Sequence, residues 1–249
     1  LLALIPALAG VPHRVGLDSD GRGFSLTRRV PLVGVAHEVD LYLACARALG
    51  APTPAPRLQF FPSPEARARV AGRLRDARGP LAVVHPAGGN NPGMRLSAKR
   101  WPAERYAEIV RRLAGRGAQV AVVGGPDDVG LARRVCEGAG AGERAWNLAG
   151  ALSFDELGAL LEGATLFLGN DTGAMHLAVA VGAPTVAIFG PSDPRQYGPY
   201  GEGHRALWNP PACAPCMARG RWNTACEDFR CIRAVRVEEV WEAISDLLP

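Results

Sequence analysis

Three short stretches carry residue types that could hold an anion. Residues 165–184 read TLFLGNDTGAMHLAVAVGAP, in which one apolar run ends at Leu168 and another has begun by His176. Between them lie two glycines, Asn170, Asp171 and Thr172. A helix starting near Gly173 presents unpaired N–H groups and the positive end of its dipole to whatever faces it. Thr172 adds a hydroxyl, and His176 falls in the first turn, pointing the same way. Asp171 is the exception, because its carboxylate repels an anion. It fits better as a helix cap or as the group that fixes a neighbouring donor. A capped helix with a buried histidine in its first turn uses the same residues, so this stretch alone leaves both readings open.

The second stretch is HPAGGNNPGMRLSAKRWP, residues 85–102. Gly88 and Gly89, directly after an apolar run, allow backbone N–H groups to approach an anion closely. Arg95 and Lys99 add fixed positive charge just before a helix. No Gly-Lys-Ser/Thr follows the glycines, so the spacing is not a P-loop, and a long surface loop is the competing reading. The third stretch is VVGGPDD, 122–128. Its Asp127 and Asp128 suit ribose hydroxyls, or equally the N-terminal turn of a helix. A negatively charged, phosphorylated ligand is the explanation the three stretches share.

The elements that must position these loops alternate. LAVVH, AQVAVVGG, TLFLG and PTVAIFG are short apolar runs of strand character. Between and after them come helix-like segments. PAERYAEIVRRLAGRG places Tyr106, Ile109, Val110 and Leu113 at helical spacing, with Pro102 suited to the first turn. SFDELGALLEGA opens with a Ser153–Glu156 capping box. PDDVGLARRVCEGAG, a helix from about 173 to 182, and VEEVWEAISDLL, with Val237, Val240, Trp241, Ile244 and Leu248 on one face, complete the set. Near-continuous apolar strands alternating with helices indicate a doubly wound α/β domain with a parallel sheet covered on both sides. Ligands in such domains bind outside the carboxyl ends of the strands, where the loops after residues 85, 123, 169 and 189 all emerge.

Residues 1–56 are organised differently. EVDLYLACARALG predicts a helix with Val39, Leu43 and Ala46 inward and its end at Gly50. GAPTPAPRLQFFPSPEARARV, with five prolines, reads as an interdomain linker. What precedes it is too short for a core of its own. The chain does not open with Met, so the expectation is a C-terminal remnant of a first domain (1–56, with linker) followed by a complete second domain (57–249).

Composition narrows the function classes. A hydrophobic content of 48% and a charged content of 21% exclude disordered and fibrous chains. The net charge is +4, with arginines scattered over many segments rather than gathered on one element. That argues against a dedicated nucleic-acid binder and suits phosphorylated small molecules or an anionic membrane surface. No apolar run reaches the ~18 residues of a membrane span, and LLALIPALAGVP lacks the basic flank of a signal peptide. Cys45 and Cys136 sit in helical patterns as small core residues. Cys213-x2-Cys216-x9-Cys226-x4-Cys231 fits a structural zinc site, two disulfides, or free thiols.

Taken together, these segments resemble glycosyltransferase family 9, the ADP-heptose:lipopolysaccharide heptosyltransferases. The matching pieces are HPAGG, KRWPAERYAEIVRRL, VVGGPDD, NLAGALSFDELGALLEGATLFLGNDTGAMHLAVAVGAPTVAIFGPSDPRQYGPYG and the cysteines ahead of VEEVWEAI. AGVPHRVGLD, GRGFSLTRRV and HEVDLYL resemble the end of the family's first domain. The resemblance implies an α/β, GT-B-type fold of two Rossmann-like domains, the second binding the donor. It implies inverting transfer of heptose, or a related sugar, from ADP-heptose to a lipopolysaccharide core acceptor, with no cofactor or metal required. By the same resemblance Lys99 and His176 are catalytic, and Lys99, Thr172, Gly173 and His176 contact the diphosphate, with Gly88, Gly89 and Asp171 in the same loops. Asp127 or Asp128 would meet the ribose, and Leu148 and Leu152 the adenine. The implied partners are a nucleotide-sugar donor and a lipid-linked saccharide acceptor, not nucleic acid. The implied location is cytoplasmic, with peripheral contact at the inner membrane face. The family's general base, an aspartate near the start of the first domain, has no counterpart here. The fragment is therefore expected to bind donor better than it transfers sugar. A non-catalytic nucleotide-sugar-binding module, or a truncated transferase, is the alternative. A sugar-nucleotide epimerase of similar architecture would need a carboxylate cluster that the C-terminal half lacks.

Overall fold

The computed structural model describes residues 4–19, 21–53, 55–74, 79–88, 90–91, 94–95, 99–218, 221–222, 226 and 228–248. The chain forms two compact units: Leu1–Pro56 with Arg195–Tyr197, and Arg57–Pro194 with Gly198–Pro249. In the first, α1 (Ile5–Leu8) precedes β1 (Val15–Asp18), which pairs in parallel with β2 (Arg28–Pro31). Helix α2 (Glu38–Ala48) follows, with His37 as its N-cap accepting from the Val39 N–H through Nδ1 at 3.2 Å. Leu41 is its buried residue, while Val39, Leu43 and Ala46 are only half-buried, so the inward face is centred differently from the expected one.

The second unit begins at Arg57, and the end of the proline-rich stretch runs into it. Pro62 and Pro64 do not space a linker; they lead into α3 (Pro64–Leu74). Proline is tolerated at the first turn of a helix because its missing N–H would have no partner there. Ser63 caps that turn by accepting from Ala66 N–H at 3.1 Å. Its own N–H and hydroxyl donate to Asp155 at 3.0 and 2.6 Å. Phe60 N–H donates to Ala180 O at 3.1 Å. Residues 57–74 are thus built into the domain.

Six strands form its sheet: β3 (Leu81–His85), β6 (Gln119–Val122), β7 (Ala145–Asn147), β8 (Leu166–Asn170), β9 (Thr185–Ile188) and β10 (His204–Leu207). The short pair β4 (Asn90–Asn91) and β5 (Met94–Arg95) lies in the loop after β3. Every neighbouring pair in the six-stranded sheet is parallel, in the order β10-β9-β8-β3-β6-β7. Counted along the chain, that is 6-5-4-1-2-3, the doubly wound arrangement whose direction of travel reverses between β3 and β8. His85 stands opposite Gly169 in the register, so the loops after β3 and β8 leave the sheet side by side.

Parallel strands need crossovers, and helices α4 (Ala103–Gly115), α5 (Val129–Ala139), α6 (Phe154–Glu162) and α7 (Gly173–Ala180) supply them. The expected stripe on α4 is buried at Tyr106, Ile109, Val110 and Leu113. It packs with Val84, Val122, Leu168 and Val186 of the sheet, and with Val240 and Ile244 of α10 (Val237–Leu247), in one core. The capping box on α6 is formed: Ser153 Oγ accepts from Glu156 N–H at 3.2 Å, and Glu156 Oε2 accepts from Ser153 N–H at 2.8 Å. Those bonds, with Arg69 at 2.9 Å, hold the Glu156 carboxyl down to a pKa of about 2. Helix α7 ends at Ala180, short of residue 182, where Gly182 turns the chain at φ +86°. The remaining short elements are α8 (Pro194–Tyr197), β11 (Met217–Ala218) paired with β12 (Arg221–Trp222), and α9 (Arg230–Arg233). No helix among the described residues is long and apolar enough to cross a membrane.

Candidate functional site

The site is braced by the last residue of β8. Asn170 is fully buried, and its amide uses all its hydrogen-bonding capacity. Oδ1 accepts from Tyr106 OH at 2.9 Å and from Trp101 N–H at 3.3 Å. Nδ2 donates to the carbonyls of Pro86 and Ala87 at 3.2 and 2.9 Å. One side chain therefore sets the loop after β3, the start of α4 and the turn into α7 against each other. Trp101 is locked in turn by its Nε1–H to Val235 O at 2.9 Å and by edge packing on Tyr106.

A cavity of about 390 Å³ opens above this brace. His85, Gly88, Lys99, Gly125, Asp128, Asp171, Thr172, Gly173, Ala174 and His176 line it. It lies where the strand order reverses, the position at which doubly wound sheets bind ligands. The N–H groups of Gly173 and Ala174, in the first turn of α7, have no intrahelical acceptor. Thr172 is the N-cap but makes no capping bond with its side chain, and its buried hydroxyl has no partner among the described residues. A buried hydroxyl with no partner among the described residues, beside two N–H groups with no intrahelical acceptor, is the arrangement an anion completes.

The carboxylates there are already engaged. Asp171 Oδ2 accepts from Lys99 Nζ at 2.6 Å and from Ser192 Oγ at 2.5 Å. Of the two readings of Asp171, the structure gives the one in which it fixes a neighbouring donor. Asp128 Oδ2 accepts from Gly125 N–H at 3.0 Å and so ties its own turn. It also lies 3.6 Å from Arg100, whose Nε donates to Gly88 O at 2.8 Å. Lys99 is the only lysine among the chain's 28 basic side chains, a compositional signal the motif reading did not use.

Of the sequence-predicted residues, Gly88, Lys99, Asp128, Asp171, Thr172, Gly173 and His176 share this lining. Asp127 is exposed and outside it, because the 3-10 turn of Pro126–Asp128 aims only its last carboxylate inward. Leu148 and Leu152 are half-buried in the loop after β7 and are not among the lining residues. Gly89 and the side chain of Arg95 lie outside the described residues. His85, Gly125, Ser192 and Asn170 were missed. Cys213, Cys216, Cys226 and Cys231 form no disulfide in this structure, and among the described residues no three His, Cys, Asp or Glu side chains converge as metal ligands.

Gly88 is held at φ +139°, and a Cβ there would meet Thr172 Cγ2 at 2.6 Å. Gly88→Ala is expected to displace Thr172 and strain the turn by about 1–3 kcal/mol, seen as a lower melting temperature together with weaker ligand binding. A variant that matches the parent in both would show that the turn relaxes freely.

His85 has its Nδ1 shut off from water and unpaired among the described residues. Burial pushes its pKa from 6.5 down to about 4; Asp128 opposes this and Arg100 adds to it. The unfolded chain takes up a proton near 6.5 that the folded chain refuses until about 4. Its stabilising contribution is therefore complete above 6.5 and is lost as the pH falls through that window. Between about pH 7 and about pH 4.5, urea unfolding should cost the parent about 2–3 kcal/mol more stability than His85→Asn. Parallel pH profiles would show that His85 does not carry the effect.

Comparison with known proteins bears on what the site holds. Residues 2–225 match the sequence model of glycosyltransferase family 9 (heptosyltransferase). Lipopolysaccharide heptosyltransferase 2 of Escherichia coli (strain K12) is 31% identical over 207 residues, covering 77% of this chain and 57% of its own length. The chain thus spans little more than half of that relative. The solved structure of E. coli ADP-heptose lps heptosyltransferase II aligns with a TM-score of 0.71 at 24% identity, over 98% of this chain and 72% of that one. An E. coli heptosyltransferase with ADP aligns with a TM-score of 0.62 at 21% identity, over 91% and 61%. At these identities the structural likeness speaks for the expected α/β, GT-B-type fold, and the sequence match carries the family. The chain belongs to glycosyltransferase family 9, the heptosyltransferase family.

Proposed function

We propose that this chain binds the donor for an inverting transfer of heptose, or a related sugar, from ADP-heptose to a lipopolysaccharide core acceptor. The observation that carries the reading is the convergence of Lys99, the orphan Thr172 hydroxyl and the first-turn N–H groups of α7 on one cavity at the reversal of the strand order. A diphosphate matches that donor set. His176 adds an imidazole on the same wall. The reaction breaks the bond between the anomeric carbon and the diphosphate oxygen, whose electron pair leaves with ADP. An acceptor hydroxyl attacks from the opposite face and gives up its proton to a base.

Charge on the diphosphate grows as the bond breaks, so donors aimed at it stabilise the transition state more than the ground state. A helix terminus contributes about 0.3–1 kcal/mol, and up to roughly 2 when partly buried. A charge-assisted bond such as that from Lys99 contributes about 1.5–3 kcal/mol. These protein groups supply the counter-charge. An acceptor carried on a lipid places the protein at the inner face of the cytoplasmic membrane, and the net charge of +4 suits an anionic surface.

Calorimetric titration of ADP into this chain, beside a Lys99→Ala, His176→Ala double variant, tests the reading. Micromolar binding that the variant loses is the expected result. A folded parent chain that takes up no ADP overturns it.

A further inference from the structure

One oxygen of Asp171 serves two donors. Lys99 Nζ and Ser192 Oγ reach the same Oδ2 atom, at 2.6 and 2.5 Å. Ser192 is 1% exposed and does not line the cavity, so it touches nothing bound there. Its backbone is clamped from behind by the cysteine-bearing segment. Pro191 O accepts from the N–H groups of Cys216 and Met217 at 3.1 and 3.0 Å. Ser192 forms a parallel bridge with the buried Met217. Gly190 O is held by Trp208 Nε1 at 3.0 Å. A hydroxyl so fixed is a fixed reference for the carboxylate it touches.

We propose that Ser192 is a positioning residue: by holding Asp171 Oδ2 it sets where Lys99 rests, so that the ammonium is shared with a diphosphate in the cavity. The inference rests on the diphosphate reading above. Lysine has three donors, and Asp171 Oδ2 engages one of them. A carboxylate with no second partner is free to rotate and draws the ammonium wholly to itself. A donor on the same oxygen stops that rotation and takes up part of its accepting capacity. Because serine is neutral, it does this without adding charge, so the charge of Lys99 stays available to the ligand. In a buried setting such charge-assisted bonds are strong, and their loss is felt by every member of the network.

The single lysine makes the test direct, because lysine labelled with nitrogen-15 at Nζ gives one ammonium signal. Proton exchange at Lys99 is expected to be slower by about tenfold in Ser192→Ala than in the parent, the scale of one charge-assisted bond, because the ammonium is then drawn wholly to Asp171. An unchanged ammonium signal in the folded variant overturns the proposal. Ser192→Ala should also weaken ADP binding by about five- to tenfold, and that loss should vanish in a Lys99→Ala background. An equal loss in both backgrounds shows general packing and overturns the positioning role. Ser192→Cys keeps the volume with a poor donor, should behave as alanine does, and decides the matter if the alanine variant does not fold. A parent that takes up no ADP removes the donor reading, while the ammonium exchange still decides the role of Ser192.

Discussion

Lys99→Ala is expected to weaken ADP binding by about 10- to 100-fold, and Lys99→Arg to leave most of that loss in place. The lysine side chain is 14% exposed and its Asp171 partner 8%, so both charges sit largely out of water. An ammonium so placed forms a charge-assisted bond to a diphosphate, and removing it forfeits about 1.5–3 kcal/mol. Arginine keeps the charge but changes its shape. A planar five-donor fork cannot occupy the place of an ammonium that approaches one carboxylate oxygen to 2.6 Å, beside a turn Arg100 already holds through Gly88 O. With arginine at every other basic position, a lysine here marks a site where the compact cation is required. The alanine variant also strands Asp171, buried and left with Ser192, so its melting temperature should fall. Adding Asp171→Asn should recover stability without recovering ADP affinity. Calorimetry and thermal unfolding on the same samples separate the two effects. A Lys99→Ala chain that binds ADP as tightly as the parent would place the counter-charge elsewhere.

How much of this was legible in the sequence follows the range of each interaction. The capping box of Ser153 and Glu156, three residues apart, and the buried stripe from Tyr106 to Leu113 are written locally, and both form. Pro62 and Pro64 misled because a helix start and a linker use the same residue for different reasons; only Ser63 reaching Asp155 distinguishes them. The conflict at Asp171 was visible, since a carboxylate among anion-binding groups needs explaining. Its resolution was not, because Lys99 lies 72 residues away and Ser192 lies 21. His85 closes an apolar strand, and nothing local says that a strand's last side chain borders a cavity. The strand order that brings 85 beside 169 is tertiary information. Leu148 and Leu152 came from the resemblance alone, and the structure leaves both outside the lining of the cavity.

The largest effect on stability is expected at a residue that touches no ligand. Asn170→Ala should lower stability by about 3–5 kcal/mol, because it strands Tyr106 OH, Trp101 N–H and the carbonyls of Pro86 and Ala87 together, each costing roughly 1–3 kcal/mol less whatever water recovers. For a domain of this size that is a fall of about 10 °C in melting temperature. Asn170→Asp keeps the shape but turns an oxygen toward two carbonyl oxygens at a fully buried position, and should be no better tolerated. Affinity should fall as well, since the same amide holds Gly88 close to Thr172 and sets Lys99 before α4. A drop of under about 2 °C would mean that water replaces the amide and that the loops are held by packing instead. The two outcomes differ because a fully satisfied buried amide serves as a brace only where water cannot take its place, and the closed lattice of bonds around Asn170 predicts that it cannot.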